Sequence, residues 1–282
     1  MTSTWTSWGR RSDAGWLSAW LSVRLRAVGE SPPAWVSGAT PEDRWDGYLQ
    51  PGGVLRNLVG ATTHVELRET EDEFVEWRMV QLRERPIVGR FDLDHLKAVH
   101  AHLFQDVYGW AGQLRTVDMS KGEDVFAEHD AIAPLLDTAL GAGDRALPAG
   151  SSKAKVVPRL TTLCVQINYA HPFREGNGRT LRTYLSQLAE GAGWRVDWRR
   201  VHPQENVERS QAAHAGNFKP LIEMLDAITV PTTLTVPGRP DGRESPTVVA
   251  HPVVADPVSA TTSTRAEHYR VRAQRRVAGP QQ

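Results

Sequence analysis

The sequence predicts a mostly α-helical fold with one small β-hairpin. Over about 49–230, apolar side chains recur at steps of three and four residues, which is the spacing that buries one face of a helix. Only the stretch 113–126 is typical of strands, with Ser120-Lys121-Gly122 as the turn between two apolar runs. No internal repeat is visible, so we expect a single helical bundle that carries a hairpin.

The predicted helices follow one another along this domain, and local signals mark some of their ends. Pro86 is expected to end the first helix, because proline lacks the N–H that an internal helical turn needs. Asp92 is suited to cap the second helix through its carboxylate. The predicted helices are 71–85, 93–103, 131–140, 156–170, 180–192 and 220–228.

Both ends of the chain differ in composition from this domain. Six of the ten tryptophans lie in the first 45 residues, and helical spacing near 13–28 predicts a short amphipathic helix there. The C-terminal part is rich in Pro, Thr, Val and Arg without a period, which is typical of a disordered tail; a short arginine-bearing helix is possible at 263–277. The sequence therefore divides into an N-terminal extension 1–48, a domain 49–230 and a tail 231–282.

Composition and charge exclude several classes of protein. The 282 residues contain 33 Lys+Arg and 33 Asp+Glu, so the formal net charge of +0 gives no overall attraction to nucleic acid or to an anionic membrane. The single cysteine, Cys164, excludes an internal disulfide and a cysteine-rich zinc site. No apolar run reaches the roughly 18 residues of a membrane helix, and Arg24 and Arg26 interrupt the segment after Arg10-Arg11 that otherwise resembles an export signal. We expect a cytoplasmic protein that binds neither membrane nor nucleic acid directly.

One compact segment, from His171 to Arg182, combines groups that can hold phosphates. Gly176 and Gly178 leave backbone N–H groups open at the start of a helix, where unpaired donors and the helix dipole favour an anion. Arg179 and Arg182 lie three residues apart and share a face of that helix. Two guanidinium groups beside such a loop indicate that more than one phosphate binds.

Glu175 and His171 add the groups that chemistry on a phosphate would need. A carboxylate among phosphates is repelled unless a cation lies between them, so Glu175 implies Mg²⁺. His171 has a side chain whose ordinary pKa is close to neutral, which suits it to accept a proton from an attacking hydroxyl. Together the segment predicts a phosphoryl or nucleotidyl transfer site.

This segment reads H-P-F-R-E-G-N-G-R-T-L-R and resembles the signature of the Fic (Fido) family, whose members mostly transfer AMP from ATP to a target hydroxyl. Weaker likeness lies at 108–116 and 86–92, so the resemblance covers about 50–230. It implies a mostly α, Fic-type helical bundle with a small β-hairpin flap, in agreement with the fold expected from periodicity.

The resemblance also implies a role for each matching residue. His171 would be the general base toward a Tyr, Thr or Ser hydroxyl of the target, with ATP as co-substrate and pyrophosphate leaving. Phe173 would anchor the loop in the core, and Glu175 would hold Mg²⁺ between the α- and β-phosphates. The hairpin would be a flap that pins the target by strand-like contacts. The nucleotide-binding residues would be Lys121, Gly122, Arg174, Glu175, Gly176, Asn177, Gly178, Arg179 and Arg182.

Within this family, one position separates two activities. Relatives that act as kinases typically carry Lys where this chain has Gly178, so the Gly178-Arg179 pair favours adenylylation. A phosphotransferase, UMP transferase or de-AMPylase on the same fold remains an alternative. So does a non-catalytic binding module that docks through a terminal segment, although intact His171 and Glu175 count against it.

Many family members carry an inhibitory helix of pattern [ST]-x-x-x-E-[GN], whose Glu pairs with the second signature arginine. The one match here is 186–191; its Glu190 lies eight residues beyond Arg182 on the same helix, about 12 Å away, so we interpret it as a coincidence. The chain therefore resembles the class of toxins restrained by a separate small antitoxin, and a type II topoisomerase subunit such as gyrase B is the expected target. The adenine pocket is expected after the signature, near Asn206 and Ser210.

Overall fold

The computed structural model describes residues 32–121, 124–141 and 147–232. Within these ranges helices dominate, and each strand is only two or three residues long. The elements in chain order are α1 (Ala34–Ser37), α2 (Pro41–Gly47), α3 (His64–Glu84), α4 (Leu93–Phe104), β1 (Ser120–Lys121), β2 (Asp124–Val125), α5 (Ile132–Leu140), α6 (Lys153–Ala170), α7 (Asn177–Gly191), β3 (Trp194–Val196), a 3-10 helix (Trp198–Arg200), α8 (Pro203–His214), α9 (Lys219–Ile228) and β4 (Thr229–Pro231). The predicted fold class, mostly α with a small hairpin, is confirmed.

The helix starts show how local capping sets the bounds. The side chain of Asp92 accepts the N–H of His95 at 3.0 Å, so α4 begins where the sequence predicts. Helix α3 begins at His64 rather than at 71, because the hydroxyl of Thr63 accepts the N–H of Glu66 at 3.2 Å and caps a start further upstream.

Several elements were not predicted. Helix α8 has only Ala213 among its buried residues and so lacks an apolar stripe in the sequence. Strands β3 and β4 pair antiparallel, with Trp194 opposite Pro231, although they lie far apart in the chain. The helices predicted near 13–28 and 263–277 lie outside the described residues.

The hairpin is much shorter than the predicted 113–126. Only two residue pairs form its ladder, Ser120 with Val125 and Lys121 with Asp124. Next to the ladder, the carbonyl of Met119 accepts the N–H of Phe126 at 3.3 Å, but further upstream the N–H of Arg115 donates to the carbonyl of Pro172 at 2.8 Å. The segment before the hairpin is therefore fixed to the loop after α6.

Two buried apolar clusters meet at α4. Leu96 belongs to the cluster that includes the buried faces of α5, α6, α7 and α9, whereas Val99 and Leu103 belong to the cluster formed with α3 and the chain around Trp110. The loop between α6 and α7 lies at this meeting point, since its Phe173 is fully buried in the first cluster. None of the helices in the described ranges is long and apolar enough to cross a bilayer.

Candidate active site

Two unusual backbone conformations shape the loop between α6 and α7. His171 ends α6 in the left-handed region, with φ 42° and ψ 60°. Gly176 has φ 82° and precedes α7, and a Cβ at that position would lie 2.3 Å from the ring of Phe104. Only glycine combines this φ with so close an approach. The loop therefore turns sharply between the end of α6 and the start of α7.

The side chain of Asn177 closes the loop. Its Oδ1 accepts the N–H of Phe173 at 2.8 Å, and its Nδ2 donates to the Phe173 carbonyl at 2.6 Å. Asn177 was predicted to bind nucleotide, but its side chain is engaged in shaping the loop. Its backbone N–H, at the first position of α7, is one of the donors that a helix start leaves without an internal partner.

His100 of α4, which the sequence did not single out, packs against the loop and bonds to its backbone. Its Nδ1 accepts the N–H of Gly112 at 2.7 Å, so the proton lies on Nε2, which donates to the Glu175 carbonyl at 3.0 Å. Its ring stacks on Phe173 with 3.8 Å between centroids. Burial lowers the pKa of His100 to about 3, so it is a neutral support and not a proton carrier.

Arg115 joins the catalytic loop to the flap. Its guanidinium is fully buried and donates to four carbonyls. Two belong to the end of α6, Ala170 at 3.2 Å and His171 at 2.9 Å, and two belong to the chain flanking the hairpin, Val117 at 2.5 Å and Ala127. One side chain thereby fixes the backbone of His171 and both ends of the flap.

The imidazole of His171 lies against the root of the flap. Its ring stacks on Phe126, with 3.8 Å between centroids and 10° between planes. Phe126 directly follows β2 and is buried. The side chain predicted to be the general base is thus held between the end of α6 and the flap.

Glu175 can accept a magnesium ion in the way that phosphate-bound magnesium is usually held. Its Oε1 accepts the N–H of Gly176 at 2.8 Å, and its side chain is 45% exposed beside the start of α7. Mg²⁺ commonly takes one or two protein carboxylates and completes its shell with phosphates and water. Within the described part of the chain no group of three or more His, Cys, Asp or Glu residues could hold a metal alone.

The two signature arginines differ in their surroundings. Arg179 Nη1 donates to Asp72 at 3.1 Å and Nη2 donates to Glu71, both on α3. Arg182 has no carboxylate within ion-pair distance among residues 32–121, 124–141 and 147–232, and a Cβ on Gly178 would lie 3.4 Å from its Nη1. Burial, and then the charge of Arg179, lower the pKa of Arg182. Arg182 is therefore a partly buried cation at the start of α7 whose charge is not neutralised by this part of the chain.

Of the other predicted nucleotide-binding residues, Arg174 contacts α2, and those of the hairpin are described only in part. Arg174 faces α2, with its Cζ 4.3 Å from the ring centroid of Trp45 and 5.8 Å from that of Tyr48. Burial lowers the pKa of Arg174, and the charge of the neighbouring Glu175 opposes that shift. Only the backbone of Lys121 is described, in β1, and Gly122 lies outside the described residues.

A cavity of about 170 Å³ adjoins the end of α6. Ser210 of α8 lines it together with Tyr169 and His214, whose ring centroids are 5.8 Å apart. Asn206, the other residue predicted near the adenine, is not among the residues that line it. Its lining reaches Tyr169, two residues before His171, and includes no residue of 171–182.

Comparison with known proteins identifies relatives across this domain. The sequence model of the Fic/DOC family matches residues 90–189. The chain is 40% identical over 176 residues to the protein adenylyltransferase VbhT of Bartonella schoenbuchensis, covering 61% of this chain and 36% of VbhT. It is 36% identical to the probable protein adenylyltransferase y4lH of Sinorhizobium fredii, covering 62% of this chain and 92% of y4lH. It is 32% identical to the probable protein adenylyltransferase Fic of Escherichia coli, covering 62% of this chain and 88% of that protein.

Solved structures share the fold. The BepC protein from Bartonella tribocorum, determined with bound AMPPNP, superposes with a TM-score of 0.57 at 24% identity, over 66% of this chain and 97% of that one. An N-terminal Fic domain from Bartonella quintana, determined with bound ADP, superposes with a TM-score of 0.55 at 23% identity, over 66% of this chain and 95% of that one.

Proposed function

Because the chain belongs to the Fic/DOC family, we propose that it is a protein adenylyltransferase that transfers AMP from ATP to a Tyr, Thr or Ser hydroxyl of a target protein. Nucleotidyl transfer is the activity for which its curated relatives are named. The chain spans only 36% of VbhT, so the activity is proposed for this chain on its own residues.

The observation that carries the proposal is the position of a histidine beside an anion-binding helix start. The ring of His171 is fixed against Phe126, and the open N–H groups of α7 lie six to eight residues further on, after the sharp turn at Gly176. Arg182 adds a cation at the same helix start. A base on one side and a phosphate-holding nest on the other are the two parts that transfer to a hydroxyl needs.

In the proposed reaction, the oxygen of the target hydroxyl attacks the α-phosphorus of ATP while the imidazole of His171 takes the hydroxyl proton. The bond from the α-phosphorus to the bridging oxygen breaks, and pyrophosphate leaves with the electron pair. Arg182, Arg179 and the backbone N–H groups of α7 stabilise the negative charge on the β- and γ-phosphates. Glu175 would hold Mg²⁺, which supplies positive charge between phosphate oxygens when bound.

Two surfaces would place the substrates. The adenine would enter the cavity lined by Ser210, Tyr169 and His214, which adjoins the end of α6. The target segment would add as a strand along the flap, where Val125 is 66% exposed. Gly178 favours adenylylation over phosphorylation, because Fic relatives that phosphorylate typically carry Lys at this position.

The proposal extends to a toxin restrained by a small antitoxin. Glu190 is the glutamate of the one sequence match to the inhibitory pattern, and it is exposed near the end of α7 that is distant from the loop. Arg182 has no carboxylate partner in the described part of the chain, so a carboxylate from a separate chain could occupy it. A type II topoisomerase subunit is the proposed target, and the cytoplasm the proposed location.

The test is transfer of label to a protein. Purified protein, Mg²⁺ and a bacterial lysate are incubated with α-³²P-ATP, with γ-³²P-ATP in parallel. We expect a labelled band from the α-label alone, absent with His171→Ala and retained with the control His64→Ala, an exposed histidine at the start of α3. Label from γ alone would make the protein a kinase, and no label with either would contradict the proposed activity.

A further inference from the structure

A buried carboxylate on α3, outside the signature, contacts the first signature arginine. Glu71 is 5% exposed, and its Oε1 accepts from Nη2 of Arg179. Its neighbour Asp72 accepts from Nη1 of the same guanidinium at 3.1 Å, but its side chain is 65% exposed. Because Glu71 is the buried member of this pair, its charge is the one that depends on Arg179.

The second oxygen of Glu71 is also engaged. Its Oε2 accepts from the hydroxyl of Tyr108, which is itself 2% exposed. Burial raises the pKa of Glu71, while the charge of Arg179 and the hydrogen bond from Tyr108 oppose that shift. With a donor on each oxygen and only 5% of the residue exposed, the carboxylate holds one orientation.

Arg179 continues the network to the loop. Its Nη2 lies 3.6 Å from Oε1 of Glu175, and its Cζ lies 5.0 Å over the ring of Phe104, the ring that Gly176 approaches. Donors and acceptors therefore alternate along the network from Tyr108 through Glu71 and Arg179 to Glu175. Its last three members are an anion, a cation and an anion. Arg179 thus adds a positive charge beside Glu175, whose Oε1 also accepts the N–H of Gly176 and whose charge also acts on Arg174.

We propose that Glu71 is a positioning residue, which anchors Arg179 so that Arg179 holds the carboxylate of Glu175 where it binds Mg²⁺ of Mg–ATP. This inference rests on the proposed function. The opposite arrangement, in which Glu71 competes with phosphate for Arg179, is disfavoured by burial: if Arg179 left, Glu71 would keep only the hydrogen bond from Tyr108 and would remain a buried, unpaired anion.

The test measures ATP binding by calorimetry across a range of Mg²⁺ concentrations and in EDTA. Glu71→Gln keeps the size of the side chain but replaces one accepting oxygen with an NH₂ group that faces a donor. We expect the Mg²⁺ concentration for half-maximal effect on ATP binding to rise about tenfold, with equal ATP affinity of both proteins in EDTA. Glu69→Gln makes the same charge change at an exposed position of α3 and should not shift it.

A second variant covers the case in which Glu71→Gln does not fold. Tyr108→Phe removes one donor to Glu71 and keeps the ion pair, so we expect a smaller shift in the same direction. Combining Glu71→Gln with Glu175→Gln should add nothing to the effect of Glu175→Gln alone.

The outcomes separate the two proposals. An unchanged Mg²⁺ requirement in Glu71→Gln, tighter ATP binding in that variant, or a loss of affinity that persists in EDTA overturns the positioning role while wild-type transfer stands. If wild-type protein neither binds ATP nor labels a target, the proposed function itself fails.

Discussion

Gly176 and Gly178, two residues apart, serve different purposes in the loop. Gly176 has φ 82° and touches Phe104, so Gly176→Ala forces both backbone strain and a clash. We expect its free energy of unfolding, measured in urea, to fall by about 2 kcal/mol or more. At Gly178 a methyl group meets only Arg182 Nη1 at 3.4 Å, so Gly178→Ala should keep or slightly raise stability.

Gly178→Ala, although we expect it to fold normally, should weaken ATP binding. The methyl group of Gly178→Ala would stand where a phosphate approaches the start of α7, so we expect a loss of ATP affinity of about tenfold, or 1.4 kcal/mol, by calorimetry. Unchanged affinity in this variant would show that phosphate does not approach Gly178.

Arginines 174 and 182 allow a matched comparison of one side chain in two surroundings. Arg182→Met should weaken ATP binding more than tenfold, because charge-assisted hydrogen bonds are worth about 1.5–3 kcal/mol. Arg174→Met should leave ATP binding unchanged and lower stability by about 1 kcal/mol, since it loses the contact with the Trp45 ring. A loss of ATP affinity in Arg174→Met would restore the nucleotide-binding role that the sequence predicts.

Residues that act through distant partners could not be found from the sequence. The signature is contiguous, so 171–182 was recognised as a unit. His100 bonds to a carbonyl 75 residues away, and Glu71 to a guanidinium 108 residues away. In the sequence His100 is one of several histidines on an apolar helix and Glu71 one of many charges, and only the folded chain distinguishes them.

At the scale of elements, Arg115 decides how the end of α6 and the flap fit together. Arg115→Lys keeps the positive charge but provides three donors at one point, which cannot reach four carbonyls on two segments. We expect the free energy of unfolding to fall by about 3 kcal/mol, and AMP transfer to fall with it. Arg199→Lys, at an 80% exposed side chain, is the control and should change neither. Equal stability of the two variants would show that Arg115 does not hold the end of α6 and the flap together.

The lengths of the elements show where periodicity alone falls short. The long helices α3, α6 and α7 carry apolar stripes and were predicted, and each begins before its predicted start; of the three, α3 alone has a side-chain cap, Thr63, at that start. Strands β3 and β4 have three residues each and owe their existence to pairing across the chain, so they leave no local pattern. The hairpin was overestimated because apolar residues continue through 113–119, where the N–H of Arg115 bonds to the loop after α6 instead of to a strand.

At the scale of the whole molecule, buried histidines make stability depend on pH. Burial lowers the pKa of His100 to about 3 and of His102 to about 4, from about 6.5 in the unfolded chain. Between these values the unfolded state binds more protons, so their contribution to stability is complete above pH 6.5 and is lost as pH falls. Each site contributes a slope of up to about 1.4 kcal/mol per pH unit.

We therefore expect the free energy of unfolding to decrease between pH 6.5 and 5, by about 2 kcal/mol for His100 alone. His100→Gln should be less stable at pH 7 but should lose less on acidification. Urea unfolding of both proteins at pH 5, 6 and 7 measures the two slopes. Parallel slopes would contradict a neutral His100 in the folded protein.

The attachment of the flap through Arg115 has a consequence for how such a protein can diverge. The guanidinium grips main-chain carbonyls, and the flap ladder is also main chain, so neither depends on which side chains the hairpin carries. The hairpin tip can therefore change in sequence while His171 and the start of α7 keep their positions. If the hairpin binds the target as proposed, target preference and chemistry can diverge independently within one small domain.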